Sequence, residues 1–203
     1  MDRGIGRVLD AAVDEGFLTA GAAAEGFRHS SGFLAGIPLP AADRSAVDLG
    51  SGGGLPGLVL ATRTDCNWFL VDRSERRCRF LEWAVRSLEL SDRVSVVQAD
   101  ATEVGWGELR GSVTLVTARG FGPPGATVEC GAPLLVEGGH LVVSEPPGDG
   151  PSRWPVGPLG DLGLSDAGAW ESEGAGFRAF RAVGACGDRF PRTWKAIERS
   201  PLF

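Results

Sequence analysis

Between Ser45 and Ala61 the chain reads SAVDLGSGGGLPGLVLA, and this stretch carries the most explicit chemistry in the sequence. An acid, Asp48, is followed by glycines at alternate positions, Gly50, Gly52 and Gly54. Leu55-Pro56-Gly57 then opens an apolar run. The pattern predicts a strand over Ala46 to Leu49, a tight loop, and a helix over Leu55 to Thr64. Glycines in such a loop permit positive φ and let a flat ligand approach without a Cβ in the way. Pro56 suits a first helical turn, where its missing N–H costs nothing. No Gly-Lys-Ser/Thr closes the loop, so it is not a P-loop. Gly52, Gly54 and Gly57 fit the G-x-G-x-x-G dinucleotide spacing, a weak match taken alone. The acid two residues before the first glycine points instead to S-adenosylmethionine (SAM). That carboxylate can hold the loop, or reach the cationic methionine end through water.

Further candidates follow at the ends of successive apolar runs. Trp68 to Val71 reads as a second strand ending in Asp72. A carboxylate about 20 residues beyond the glycine loop can bind both hydroxyls of an adenosine ribose. It can equally cap the next helix. Val94 to Gln98 reads as a third strand, followed by Asp100-Ala101-Thr102. Asp100 could accept from the adenine amine, with the backbone of Ala101 and Thr102 bounding the ring; a plain loop cap is the alternative. Val113 to Thr117 reads as a fourth strand with Arg119 at its tip, where it would close the SAM pocket or meet a substrate phosphate. The Asn-Pro-Pro-Tyr/Phe element of amino-group methyltransferases is absent there. His29 is a cap, a surface group or part of a substrate cleft.

Positioning these groups calls for an α/β, Rossmann-like, mostly parallel sheet. Residues 1–44 form a helical extension, with Leu9, Val13 and Phe17 at helical spacing, packed on the edge of the main domain. Ser74 to Leu88 forms a helix whose arginines are either solvated or in contact with RNA. Pro124 to Val136 looks helical and ends at Gly138-Gly139. His140 to Ser144 reads as strand five. Gly148 to Gly163 is a loop-rich stretch with a weak helical piece. Ala169–Glu171 and Phe177–Gly184 suggest a terminal antiparallel hairpin. Residues 45–145 would be the SAM-binding core, and 146–203 the hairpin and a basic tail, within one domain spanning 1–203. The tail sets Arg189, Arg192, Lys195 and Arg199 around Trp194 against one acid, Glu198. Basic plus aromatic suits looped or single-stranded RNA. A tail docked on the domain is the alternative.

At 203 residues and 43% hydrophobic, the chain can bury one substantial core. A net charge of −6 makes the surface as a whole no magnet for nucleic acid, so such a partner needs a local basic patch. Cys66, Cys78, Cys130 and Cys186 form no C-x-x-C pair, so no metal is expected. Unpaired thiols with no secretory signal suggest a reducing, cytoplasmic setting. No apolar run approaches the roughly 18 residues of a membrane span, so no membrane partner is expected.

Taken together these stretches resemble a class I SAM-dependent methyltransferase. More narrowly, they resemble the small-subunit (16S) ribosomal RNA guanine-N7 methyltransferase family, the glucose-inhibited division protein B type. VDLGSGGGLPGLVLA is the most specific stretch. LVDRSERRCRFLEWAVRSLEL, VTARGF and the terminal RFPRTWKAIERSPLF also match that family's pattern. The resemblance implies SAM contacts at Gly50, Leu55, Ala101, Thr102 and Arg119. It implies ribosomal RNA or the small ribosomal subunit as partner, with Arg192, Trp194 and Lys195 as RNA contacts. Two departures stand out. The family's lysine-glycine element after strand five is replaced by Ser144-Glu145-Pro146-Pro147-Gly148, and the extension lacks the family's tryptophan-asparagine stretch. A small-molecule methyltransferase and a non-catalytic SAM- or RNA-binding module are the competing expectations. Guanine N7 already presents an in-plane lone pair, so the chemistry needs no general base, only placement at roughly 3–3.5 Å from the methyl.

Overall fold

Five apolar runs become the parallel strands of one sheet, as expected where both faces are covered by helices. A computed structural model of the chain describes residues 3–146 and 153–203. The start of the expected loop-rich stretch at Gly148 lies outside the described residues. The parallel strands are β1 (Ser45–Leu49), β2 (Asn67–Asp72), β3 (Val94–Gln98), β4 (Val113–Ala118) and β5 (Leu135–Glu145). Two more, β6 (Leu164–Ser172) and β7 (Ala175–Ala182), complete a seven-stranded sheet in the order β3-β2-β1-β4-β5-β7-β6. β7 runs antiparallel to both neighbours. The strand order reverses on either side of β1, and ligands bind at such a switch point, outside the strand C-termini.

Successive side chains turn to opposite faces of the sheet. Ala46, Leu70, Leu115 and Val142 meet one face's helices, and Val47, Val71, Val116 and Leu141 the other's. The first face carries α1 (Arg3–Asp14), α2 (Ala20–Ser30), α3 (Gly57–Ala61) and α4 (Glu75–Ser87). The second carries α5 (Ala101–Val104), α6 (Pro124–Gly131), α7 (Val156–Asp161) and α8 (Trp194–Arg199). The helical extension contributes part of its residues, Ala23 and Phe33 among them, to the core. Ile5, Val8, Leu9 and Ala12 are buried with α4 and the sheet, because the apolar stripe of α1 needs a covered surface. The Phe33 ring, just after α2, packs edge-on against Phe177 of β7 at 5.0 Å.

Two elements depart from the sequence expectation. The helix expected to reach Val136 ends at Gly131, and a short 3₁₀ turn covers Ala132–Leu134. Pro133 lacks the donor a continuing helix requires. Strand five therefore starts at Leu135 and runs through Gly138-Gly139. Gly138 takes φ +84°, and the pairing with β4 shifts register there. The terminal hairpin is longer than expected, with Glu173 and Gly174 at φ +52° and +79° forming its two-residue turn.

All four cysteines are free thiols. Cys66, Cys78 and Cys130 are buried, and Cys186 is half-buried. Burial raises every one of these thiols, Cys130 to about 12 and Cys186 to about 11.

Candidate functional site

The loop after β1 is built around two carboxylates. Asp48 is wholly buried between β2 and β4. It accepts from Thr117 Oγ1 at 2.7 Å and from the Gly57 amide at 3.1 Å. Ser51 Oγ donates to the Asp48 carbonyl at 2.9 Å. The strand is thereby tied to the first turn of α3. The carboxylate fills the interior of the loop, which is the loop-holding alternative of the two foreseen for it. Desolvation is the largest influence and lifts its pKa to about 6. Hydrogen bonds from Thr117, Ser51 and Gly57 and the charge of Arg119 pull it back. Gly57 has to be glycine, because a Cβ there would stand 2.6 Å from Asp48 Oδ2 and from Leu70. Its role was not legible in the motif, since the carboxylate it faces is set by folding.

Asp72 closes the same loop from the neighbouring strand. Its Oδ2 accepts from the Gly52 amide at 3.0 Å and its Oδ1 from the Ser74 amide at 2.9 Å. The Arg77 guanidinium lies 3.6 Å from Oδ2. Gly52 reaches this position at φ +55°, a left-handed conformation that glycine adopts freely. Asp72 therefore fixes the loop and the start of α4 while lining the cleft between them.

Asp100 is the N-cap of α5. Its Oδ1 accepts from the Thr102 amide at 2.9 Å and from Thr102 Oγ1 at 2.7 Å. Glu103 accepts from the Asp100 amide in return, completing a capping box. Among the described residues no donor engages Asp100 Oδ2. The cap expected as an alternative is present, and Asp100 also lines the cleft described next.

Gly50, Asp72, Asp100 and Ala101 line a cleft of about 170 Å³ across the tips of β1 to β3. A Cβ at Gly50 would come within 2.9 Å of the Phe121 ring, so the loop and the segment after β4 approach closely here. Thr102, in the first turn of α5, is buried and does not line the cleft. Gly54 and Leu55 stand apart from it. Leu55 packs under α2, where a Cβ on Gly26 would lie 2.5 Å from its side chain.

Arg119 does not line this cleft. Its guanidinium sits under α2 against Gly26, and it opens on a second, wider cavity of about 880 Å³ between α2 and the β6–β7 hairpin. Glu25, Arg28, His29, Glu145 and Arg178 share that cavity. Desolvation lowers the Arg119 pKa, while the charges of Asp48 and Glu25 oppose the shift. Arg119 forms no hydrogen bond or ion pair with the described residues. Glu145 is committed: it accepts from Trp154 Nε1 at 2.5 Å and from Arg153, with Arg178 Nε at 3.8 Å.

The C-terminal segment is docked, one of the two alternatives foreseen for it. Arg192, expected to contact RNA, instead grips buried Glu129 of α6 through its amide, Nε and Nη2 at 2.7–2.9 Å. Its Nη1 donates to the Ser200 carbonyl. That hydrogen-bonded partnership raises its pKa. A guanidinium so engaged has little left for a phosphate. Lys195 is exposed. Trp194 lines the narrow cleft, as do Arg73, Arg77 and Phe121. Of these cleft residues, sequence reasoning had placed Trp194 on RNA and had not singled out the others for the cofactor.

Among the described residues no cluster of three His, Cys, Asp or Glu could hold a metal ion, and no helix is long and apolar enough to cross a membrane.

Comparison with known proteins gives a consistent picture. A family profile described as rRNA small subunit methyltransferase G (GidB) matches residues 28–145. A ribosomal RNA small subunit methyltransferase G of Kineococcus radiotolerans is 46% identical over 99 residues, covering 48% of this chain and 38% of the relative. Its counterpart in Salinispora arenicola is 46% identical over 112 residues, covering 52% and 44%. The chain thus spans less than half the length of these two relatives. A SAM-dependent methyltransferase from Aquifex aeolicus superposes with a TM-score of 0.62 at 16% identity, covering 86% of this chain and 98% of that one. A geranyl diphosphate C-methyltransferase from Streptomyces coelicolor, solved with S-adenosyl-L-homocysteine, also gives 0.62, at 12% identity and 76% and 77% coverage. At such identities the two structures speak for the fold.

Proposed function

Because the chain belongs to the GidB family of rRNA small subunit methyltransferase G, we propose that it transfers a methyl group from SAM to guanine N7 of small-subunit ribosomal RNA. The observation that carries this reading is the narrow cleft at the strand tips, opening beside the Arg119 cavity. The cleft fits the cofactor's chemistry. Gly50 lets the loop close on Phe121 at the cleft wall, Asp72 offers a buried carboxylate to ribose hydroxyls, and Asp100 keeps Oδ2 unbonded for an exocyclic amine. Ala101 would bound the purine, and Gly52 would hold Asp72 in place. Asp48, Gly54, Leu55 and Thr102 would act on the cofactor through the loop and helix they support.

When SAM is bound, the chemistry supplied at this site is an electrophilic methyl on a cationic sulfur. The chain's own task is placement. Guanine N7 carries an in-plane lone pair, so no residue has to remove a proton before attack. Arg119, with its donors unspent, would meet a phosphate or guanine O6 in the wide cavity and hold the base in register. Its positive charge makes it a poor neighbour for the nitrogen that becomes cationic, so a backbone phosphate suits it better than O6, which shares the N7 edge. Lys195 remains as an exposed phosphate contact.

One observation favours a second reading, a small-molecule acceptor. The wide cavity sets Glu25, Glu145, Glu171 and Glu173 against Arg28, Arg119 and Arg178, so it is not the basic surface a polyanion calls for. The test is methyl transfer from labelled SAM to small ribosomal subunits lacking the modification. Label in the RNA at guanine N7 supports the first reading. A protein that binds S-adenosyl-L-homocysteine (SAH) yet leaves the RNA unlabelled turns the assignment to the second.

A further inference from the structure

Nearly all the residues around the narrow cleft come from β1 to β4 and the turns that follow them. The exception is Trp194 of α8, delivered from far along the chain. Its place is not accidental to a loose tail. Arg110 donates to the Gly105 and Phe190 carbonyls at 2.9 and 2.7 Å, and Trp106 Nε1 donates to the Pro191 carbonyl at 2.8 Å. Arg192 then anchors the next turn on buried Glu129. Between these anchors the indole is held at both ends. Its Nε1 donates to Glu198 Oε1 at 2.9 Å. Its benzo end lies 3.7 Å from where a Cβ of Gly122 would stand, and it meets the Phe121 ring edge-on at 5.9 Å. Phe121 in turn packs against Gly50.

An aromatic held so firmly at the mouth of a cleft lined by Asp72 and Asp100 suits a bound purine better than a splayed RNA base. Resting on the reading above, we propose that Trp194 is a cofactor-binding residue. The indole is a wall of the adenosine cleft, and the segment from Cys186 to Phe203 is the brace that puts it there. The cofactor site is then a joint product of the strand tips and the C-terminal segment. Contact between an aromatic side chain and a base contributes about 1–3 kcal/mol by alanine substitution, on the order of five- to 150-fold in affinity.

The experiment is SAH binding by calorimetry to the wild-type chain and to W194A and W194F, each checked for cooperative thermal melting. The expected result is binding weakened about tenfold in W194A and largely recovered in W194F. A tryptophan fluorescence change on SAH addition should be present in the wild type and diminished in W194F. Wild-type affinity in a folded W194A overturns the proposal while leaving the methyl-donor reading intact, and so does an effect confined to RNA binding. Failure of the wild type itself to take up SAH removes that reading and this one with it.

Discussion

The narrow cleft and the wide cavity lie side by side and are built in opposite ways. In the cleft, polar groups are spent on the protein. Asp48 and Asp72 accept from backbone amides, and Asp100 lends one oxygen to its own helix. In the cavity, Arg119 engages no described partner by hydrogen bond, and Arg28, Glu171 and Glu173 are exposed. Glu145 is tied to Trp154, Arg178 to Asp166, and Trp170 to the Gly32 carbonyl. A cradle held rigid by backbone amides suits a small ligand of constant shape, since little ordering remains to be done on binding. A cavity with unspent charges suits a substrate that arrives with its own complementary groups. On the proposed reading, the fold would separate holding one reactant from recognising the other.

The sharpest way to break that division is R119A. Removing the donor proposed to meet the acceptor should lower turnover about hundredfold while SAH affinity stays within about twofold. A parallel loss of SAH binding would mean that the two regions are one site. Next in size is D48N, which asks whether the cradle stores electrostatic cost. A carboxyl raised from 3.8 to about 6 on folding keeps its proton longer in the folded chain. Its contribution to stability therefore falls as pH rises from about 4 to 6, by up to about 3 kcal/mol, and stays low above that. Asparagine can still accept from the Gly57 amide. Urea denaturation across this range should show D48N gaining on the wild type with rising pH; curves that stay parallel would contradict the buried-charge account. D72A should weaken SAH by about 1–3 kcal/mol in calorimetry, and an unchanged affinity would remove it from the ligand's contacts. Smallest is K195A, which should reduce the salt slope of RNA binding by about 1 and leave SAH alone.

What was legible in the sequence divides along the same line. The parallel strands announce themselves because the inner ones are covered on both faces, so most of their residues are apolar. The β1 loop is legible because its glycines and acid act on one another within a dozen or so residues. Asp72 and Asp100 follow, since one ends a recognisable strand and the other lies two residues past the next. The docking of Arg192 was not, because Glu129 belongs to a distant helix and nothing local marks it as buried. The same holds for Trp194: its composition matches an RNA-binding tail, and only folding brings it beside Phe121. The early start of β5 was hidden by Gly138-Gly139, which look like a terminator and serve as a bend within the strand.

The four thiols carry a practical consequence. Alkylating reagents react with thiolate, and each of these sulfurs is shielded, held protonated, or both. A maleimide dye should leave the native chain almost unmarked at neutral pH. Colour gained over time would then count how often the molecule opens, giving a clock for its breathing without any engineered probe.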